Sequence, residues 1–473
     1  MHDVAVIGSG FGGLGAALRL AELGHRVVLF EAVNYPGGCA STHTRRGVRF
    51  ESGATLLAGL GEGQLFTRWL GQHGVEVLSV PLAPVLEQSG DMGTVRLPPS
   101  RDGWAAELGK LPGVDTHAVR DFLALQEQVA GPLWQLFQQP EHLPPLSAGS
   151  VAHHGRQVGG YLSLARVVGR TLGQVLDGCG LRSPTVRRLL DGLCQITVQC
   201  PGDEADAVFA LGALEVFFGG ASHVPGGVGV LAEGLVEALR RCGGEVHYAH
   251  RVKGLTRRGA GWEVHTNRGD FEAAQVVANV LPSTLTELSG VDTPRLRRLR
   301  DAVAGSWGAA VLYRQLADDG AFPEEAFHRQ LVGGSPVDGH SAWVSVGGRG
   351  EGPEGRRTLV ASTHLDADAS PQQVEEVQER LRQTLARWAP DLHAATVEEW
   401  TASPRTFERF TRRPHGWVGG VPRRPGLRAY LGLWPRPEAE GLWLVGDSVL
   451  YGQSTLATAV SGHRVGEAVS RAR

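Results

Sequence analysis

Lysine is nearly absent from these 473 residues. It stands only at Lys110 and Lys253, and the other basic side chains are arginine. With 46 Lys and Arg against 49 Asp and Glu, the formal net charge is −3. That leaves no basic excess of the kind that follows a phosphate backbone, so nucleic acid is excluded as an expected partner. Cysteine is sparse and odd in number: Cys39, Cys179, Cys194, Cys200 and Cys242. No two have CxxC spacing, which argues against a disulfide framework and against a zinc site. A reducing compartment, the cytoplasm, is expected. The adjacent pair His153-His154 has no acidic partner spaced nearby. It reads as a loop, and no metal is expected. No basic stretch and cleavage site precede the first apolar run, so no secretory signal is expected. No apolar run reaches the roughly 18 residues of a spanning helix. Peripheral attachment to the inner face of a membrane stays compatible with all of this.

Glycine is abundant instead, at 66 residues, about twice the ordinary share of roughly 7%. The first cluster carries chemistry. Asp3-Val4-Ala5-Val6-Ile7 reads as a buried parallel strand. Gly8-Ser9-Gly10-Phe11-Gly12-Gly13 follows, with Gly8, Gly10 and Gly13 matching GxGxxG. Leu14 to Leu23 reads as a helix closed by Gly24, and His25 to Phe30 as a second strand ending at Glu31. In this order the parts predict a dinucleotide site. Gly8 permits the tight turn, Gly10 lets backbone approach a pyrophosphate, and Gly13 lets the helix lie close to the strand. The helix N-terminus offers unpaired N–H groups to the phosphates. Glu31, about 20 residues on, can accept from ribose hydroxyls and would repel a 2′-phosphate.

Three further clusters follow the first. After Glu31 comes Tyr35-Pro36-Gly37-Gly38-Cys39-Ala40-Ser41-Thr42, then Arg46-Gly47-Val48-Arg49-Phe50-Glu51-Ser52-Gly53. Near the far end, Gly441 to Val445 is strand-like, Gly446-Asp447-Ser448 follows, and Ser461-Gly462 is expected to open a short final helix. Between them, Val224-Pro225-Gly226-Gly227 precedes a helix-like run, Val230 to Arg241, and a hairpin-like stretch around Val252 and Trp262.

Together these motifs resemble the phytoene desaturase and carotenoid isomerase family of FAD-dependent oxidoreductases. The resemblance covers about residues 1–60, 160–285 and 400–473. Leu162-Ser163-Leu164-Ala165-Arg166 and residues 190–199 look most like carotenoid 3′,4′-desaturases. The chain departs from the family at Tyr451, Ser454 and Leu456, which replace the usual Pro, Gly and Pro. Cys39 stands where many relatives carry Arg.

The resemblance implies an α/β fold. A discontinuous Rossmann-type FAD-binding domain (about 1–80, 220–290 and 435–473) would carry an inserted α+β substrate domain (about 81–219 and 291–434). The first insertion reads as mainly helical, with breaks near Pro140 and Pro144-Pro145. The second mixes strands at 309–313 and 358–362 with a long helix from Gln372 to Trp388. FAD would rest on Gly8, Ser9, Gly10, Phe11, Gly12, Gly13, Glu31, Gly38, Cys39, Thr42, Val252, Gly446, Asp447, Thr455 and Leu456. The backbone at Val252 would meet the adenine, and Asp447 the ribityl chain.

The implied substrate is a hydrophobic polyene of the carotenoid class. In desaturation, a hydride leaves an allylic carbon for flavin N5, and a neighbouring proton then goes to a base or water. Such chemistry needs few polar side chains, and no catalytic triad is seen. His223, just before the Val224 turn, is the candidate catalytic residue, set against an ordinary structural histidine. Cis–trans isomerisation with reduced FAD, a flavin-free prenyl- or lipid-binding protein and an amine oxidase are the competing readings. Arg187-Arg188, Arg240-Arg241 and Arg297 to Arg300 read as solvated faces, or as contacts to anionic lipid.

Overall fold

The computed structural model describes residues 1–144 and 146–472, with nothing said of the side chains of 427–429. Pro145 of the expected proline break and the terminal Arg473 therefore lie outside the described residues.

The apolar run after Met1 forms the strand His2–Ile7. It pairs in parallel with Val27–Phe30 on one side and with Gly269–Ala278 on the other. The register sets Ile7 between Phe30 and Ala278. Glu245–His247 extends the sheet in parallel beyond Val27–Phe30, and Leu442–Leu444 pairs in parallel with the end of Gly269–Ala278. The expected hairpin is present as Val252–Arg258 against Gly261–Thr266. The inner strands are buried on both faces, as parallel strands covered by helices must be.

Three helices pack on one face of this sheet: Phe11–Glu22, Gly229–Arg241 and Thr455–Arg471. Leu14, Leu18, Leu231, Leu235, Val460 and Val465 share one core with Val4, Val6 and Val277. The final helix begins earlier than Ser461-Gly462 suggested, because Ser454 caps it: its Oγ accepts from Ala457 N at 3.0 Å. Gly462 is mid-helix, where a Cβ would come within 1.9 Å of the Gly12 carbonyl. It is small to admit the helix Phe11–Glu22, not to start a helix.

A second sheet of seven strands runs in the order Thr396–Ala402, Trp307–Ala317, Arg356–Asp366, Ala342–Val346, Phe327–Val332, Leu86–Gly90 and Gly93–Leu97. Strands from both insertions thus join one sheet, antiparallel except where Leu86–Gly90 meets Phe327–Val332. Helices of the first insertion, among them Thr116–Gln138, Pro184–Val198 and Ala207–Leu214, form a separate apolar core with Trp104, Phe122, Leu189 and Phe217. His153-His154 is not in a loop. Both lie in the helix Ala148–Gln157, which Ser147 caps by accepting from Ser150 N. The long helix of the second insertion is Pro371–Trp388, closed at its start by a Ser370–Gln373 capping box.

Candidate functional site

At the end of His2–Ile7 the chain turns through Gly8, with φ at +89°, and enters the helix Phe11–Glu22. Gly10 is its N-cap and offers no side-chain acceptor. The first-turn N–H groups therefore have no side-chain partner, and Gly10, Phe11 and Gly12 line a cavity. Glu31 closes the second strand and is fixed from two sides. Its Oε2 accepts from Ser9 N at 2.9 Å and Ser9 Oγ at 2.6 Å, and its Oε1 accepts from Val33 N at 3.0 Å.

The cavity has a volume of about 1860 Å³, well beyond the roughly 300–1,000 Å³ of an ordinary small-ligand site. Of the residues singled out from sequence, Gly8, Gly10, Phe11, Gly12, Glu31, Gly38, Cys39, Thr42, Val252, Gly446, Asp447, Thr455 and Leu456 line it together. Ser9 and Gly13 stand one layer behind. Ser9 holds Glu31, and a Cβ on Gly13 would meet the Gly8 carbonyl at 1.9 Å. Thr42 Oγ1 accepts from Gly229 N at 2.9 Å, tying the second glycine cluster to the start of another helix. An uncapped helix end with a fixed carboxylate facing the same space fits a dinucleotide such as FAD.

Several residues at the cavity gave no signal in the sequence. Arg413 is brought from the second insertion to the C-terminal turn. Its Nη1 donates to Asp447 Oδ2 at 2.8 Å and its Nη2 to the Gly419 carbonyl at 2.7 Å. The same Nη1 is 3.8 Å from Cys39 Sγ. A guanidinium thus lies beside the position where the resemblance implied arginine. Burial disfavours the charge of Arg413, but the Asp447 carboxylate more than offsets this, so the cation is retained. Burial pushes the Cys39 thiol up, and Arg413 counters only part of that rise.

Arg423 is buried and donates from Nη2 to the carbonyls of Asp447 and Val449 at 2.9 and 2.8 Å. Burial brings it down to about 10. Asn279 follows the strand Gly269–Ala278 and fills the space among the glycines. A Cβ on Gly10 would meet its Nδ2 at 2.6 Å, and one on Gly446 its Oδ1 at 2.7 Å. Arg413 and Arg423 sit at no motif spacing, so only the folded chain reveals them.

His223 is not among the residues lining the cavity. Its Nε2 lies 2.8 Å from Glu351 Oε1, and Glu351 also accepts from Gly226 N and Gly348 N. Beside this pair Glu51 is pushed up to about 7, chiefly by burial, despite His223 nearby. Farther along the cavity the wall turns apolar, with Leu133, Trp134, Phe137, Ile196, Val216 and Trp343. His364 is part of that wall and burial lowers it to about 4, so the imidazole is neutral.

Comparison with known proteins agrees with this architecture. Residues 11–469 match the flavin containing amine oxidoreductase family. A chloroplastic prolycopene isomerase of Arabidopsis thaliana is 25% identical over 98% of this chain and 82% of its own length. A neurosporene-forming phytoene desaturase of Cereibacter sphaeroides is 33% identical over 26% of this chain and 24% of its own. Among solved structures, cyclohexylamine oxidase from Brevibacterium oxydans superimposes with a TM-score of 0.64 at 14% identity, covering 99% of each chain. That likeness shows the fold alone. By the family match across nearly its whole length, joined to the dinucleotide cradle built by Gly8 to Gly13 and Glu31, the chain belongs to the flavin containing amine oxidoreductases and is an FAD-dependent oxidoreductase whose relatives include carotenoid desaturases and isomerases.

Proposed function

We propose that this oxidoreductase desaturates a carotenoid-type polyene, in the manner of a 3′,4′-desaturase, with FAD along the glycine loop, Glu31, Val252 and the Gly446-Asp447 turn. The continuity of the cavity carries the reading. The space that begins at the uncapped helix end runs into the apolar compartment of Trp134, Phe137, Ile196 and Trp343, a length and polarity suited to a long hydrocarbon. When bound, FAD supplies the two-electron acceptor for a hydride from an allylic carbon.

The protein's own part is positional. The apolar walls exclude water and align a chain-like substrate, and neutral His364 adds no charge to that compartment. Glu31 and the first turn of Phe11–Glu22 hold the polar end of the cofactor, while Arg413 holds the Asp447 carboxylate in place. A substrate of this kind resides in a bilayer, so peripheral membrane contact is part of the proposal. No helix among the described residues is long and apolar enough to cross a membrane.

A second reading, cis–trans isomerisation of the same polyene with reduced FAD, is favoured by one observation: the relative spanning 98% of this chain is a prolycopene isomerase. Anaerobic incubation of the FAD-loaded protein with lycopene-type carotenoids separates the two. Bleaching of the oxidised-flavin band with a red-shifted polyene spectrum supports desaturation. A lasting flavin band, with a changed isomer profile only after chemical reduction, supports isomerisation. No change under either condition overturns the polyene reading.

A further inference from the structure

The strand Gly269–Ala278 delivers one polar side chain into the middle of the glycine cradle. Asn279 follows its last residue, and its backbone N–H donates to the Ile7 carbonyl at 2.8 Å. The residue is thereby pinned to the neighbouring parallel strand at the point where both strands end. The crevice outside the carboxyl ends of such strands is where open α/β sheets take their ligands. Asn279 lines the cavity there, and glycines close round its side chain. A Cβ on Gly10 would lie 2.6 Å from Asn279 Nδ2, one on Gly12 would lie 2.8 Å from Oδ1, and one on Gly446 would lie 2.7 Å from Oδ1. The carboxamide therefore stands between the first glycine loop and the C-terminal turn, and each of them leaves room for it.

Within the protein this carboxamide does nothing. Neither Nδ2 nor Oδ1 has a hydrogen-bond partner among the described residues, and both remain accessible. Its polar neighbours in the cradle are engaged: Ser9 Oγ donates to Glu31, and Thr42 Oγ1 accepts from Gly229 N. The direction of the amide carries chemistry. Nδ2 can only donate, and it is turned toward Gly10, in the loop that a pyrophosphate must approach. Oδ1 can only accept, and it is turned toward Gly12 and Gly446, beside the Asp447 turn. A flavin dinucleotide is polar in the same sense, with anionic phosphate oxygens followed by the hydroxyls of its ribityl chain.

We infer that Asn279 is a cofactor-positioning residue, with Nδ2 donating to the FAD pyrophosphate and Oδ1 accepting from a ribityl hydroxyl, so that it fixes the place of the dinucleotide along its cradle. The inference concerns the cofactor alone. It holds whichever substrate is oxidised, so failure of the polyene reading leaves it standing.

The test is the affinity of the full chain for FAD and for ADP, measured on flavin-stripped protein by flavin fluorescence and calorimetry, without turnover. Asn279→Asp keeps the shape of the side chain but replaces the donor with a charge. Asn279→Ser is smaller but keeps a hydroxyl that can both donate and accept. The expected order of FAD affinity is wild type, then Ser, then Asp. The serine is expected to weaken binding about tenfold and the aspartate about a hundredfold. The aspartate should weaken ADP as well, and high salt should return part of that loss. A side chain that merely fills space gives the opposite order, with Asp near the wild type and Ser weaker, and that order overturns the inference. An Asp variant that loses FAD but binds ADP as the wild type does also overturns it, because the donor then does not face the phosphates. Circular dichroism and the unfolding temperature of the flavin-free chains establish that each variant folds. If the aspartate does not, Asn279→Ser against Asn279→Ala decides: a several-fold advantage for serine supports the inference, and equal affinities overturn it.

Discussion

Arg413 Nη1 stands 2.8 Å from Asp447 Oδ2, so a residue of the second insertion clasps the turn that closes the cofactor cavity. The side chains are 16% and 19% exposed, enough shielding for the pair to matter. Breaking a fully buried pair costs about 3–5 kcal/mol, and about 2 kcal/mol is expected for this partly buried one. Arg413→Met should therefore lower the unfolding temperature and reduce the flavin retained on purification, with Arg413→Lys recovering part of both. A methionine variant that keeps full flavin at wild-type affinity would remove Arg413 from the site.

Gly10→Val meets two obstacles. The new side chain projects toward Asn279 Nδ2, 2.6 Å from the Cβ position, and stands in the loop that a pyrophosphate must approach. The variant should fold by circular dichroism and take up no flavin. Full flavin occupancy would mean that this loop is not the phosphate site.

Glu51 gives a pH signature. Its carboxyl moves from the ordinary 4.5 up to about 7 on folding, chiefly through burial. The folded state thus holds this proton more tightly than the unfolded one. Its contribution to stability is present at low pH, falls as pH rises from 4.5 to about 7, and is flat above. Glu51→Gln should raise stability at alkaline pH by up to about 3 kcal/mol and change little near pH 4.5. Unfolding curves at several pH values decide this, and a gain that is the same at every pH would count against it.

His223 Nε2 lies 2.8 Å from Glu351 Oε1, and Glu351 gathers the Val224 turn by accepting from Gly226 N. Its loss should act on the fold. His223→Ala is expected to cost about 1–3 kcal/mol of stability and to leave the flavin spectrum and turnover as they were. A pH–rate profile altered in the variant, at unchanged stability, would instead make His223 part of the chemistry.

The parallel strands at the N-terminus, the glycine loop and Glu31 could be read directly from the chain, because their spacing and their geometry are the same fact. An alternation of apolar strand, glycines and apolar helix admits one compact arrangement. The final helix was misplaced because glycine is ambiguous in sequence. Gly462 can end a helix or let two helices touch, and only the Gly12 carbonyl beneath it decides which. His153-His154 was misjudged for a similar reason. With no acidic partner spaced nearby the pair read as a loop, whereas both histidines lie in the helix that Ser147 caps.

The sequence by itself determined the dinucleotide half of the cavity, since residues 8 to 31 carry both the turn and its ligand groups within one continuous unit. Tertiary structure alone decided the rest. Arg413, Arg423 and Asn279 reach the cavity from segments far apart in the chain, and their roles come from burial and from carbonyl and carboxylate partners that no local pattern encodes.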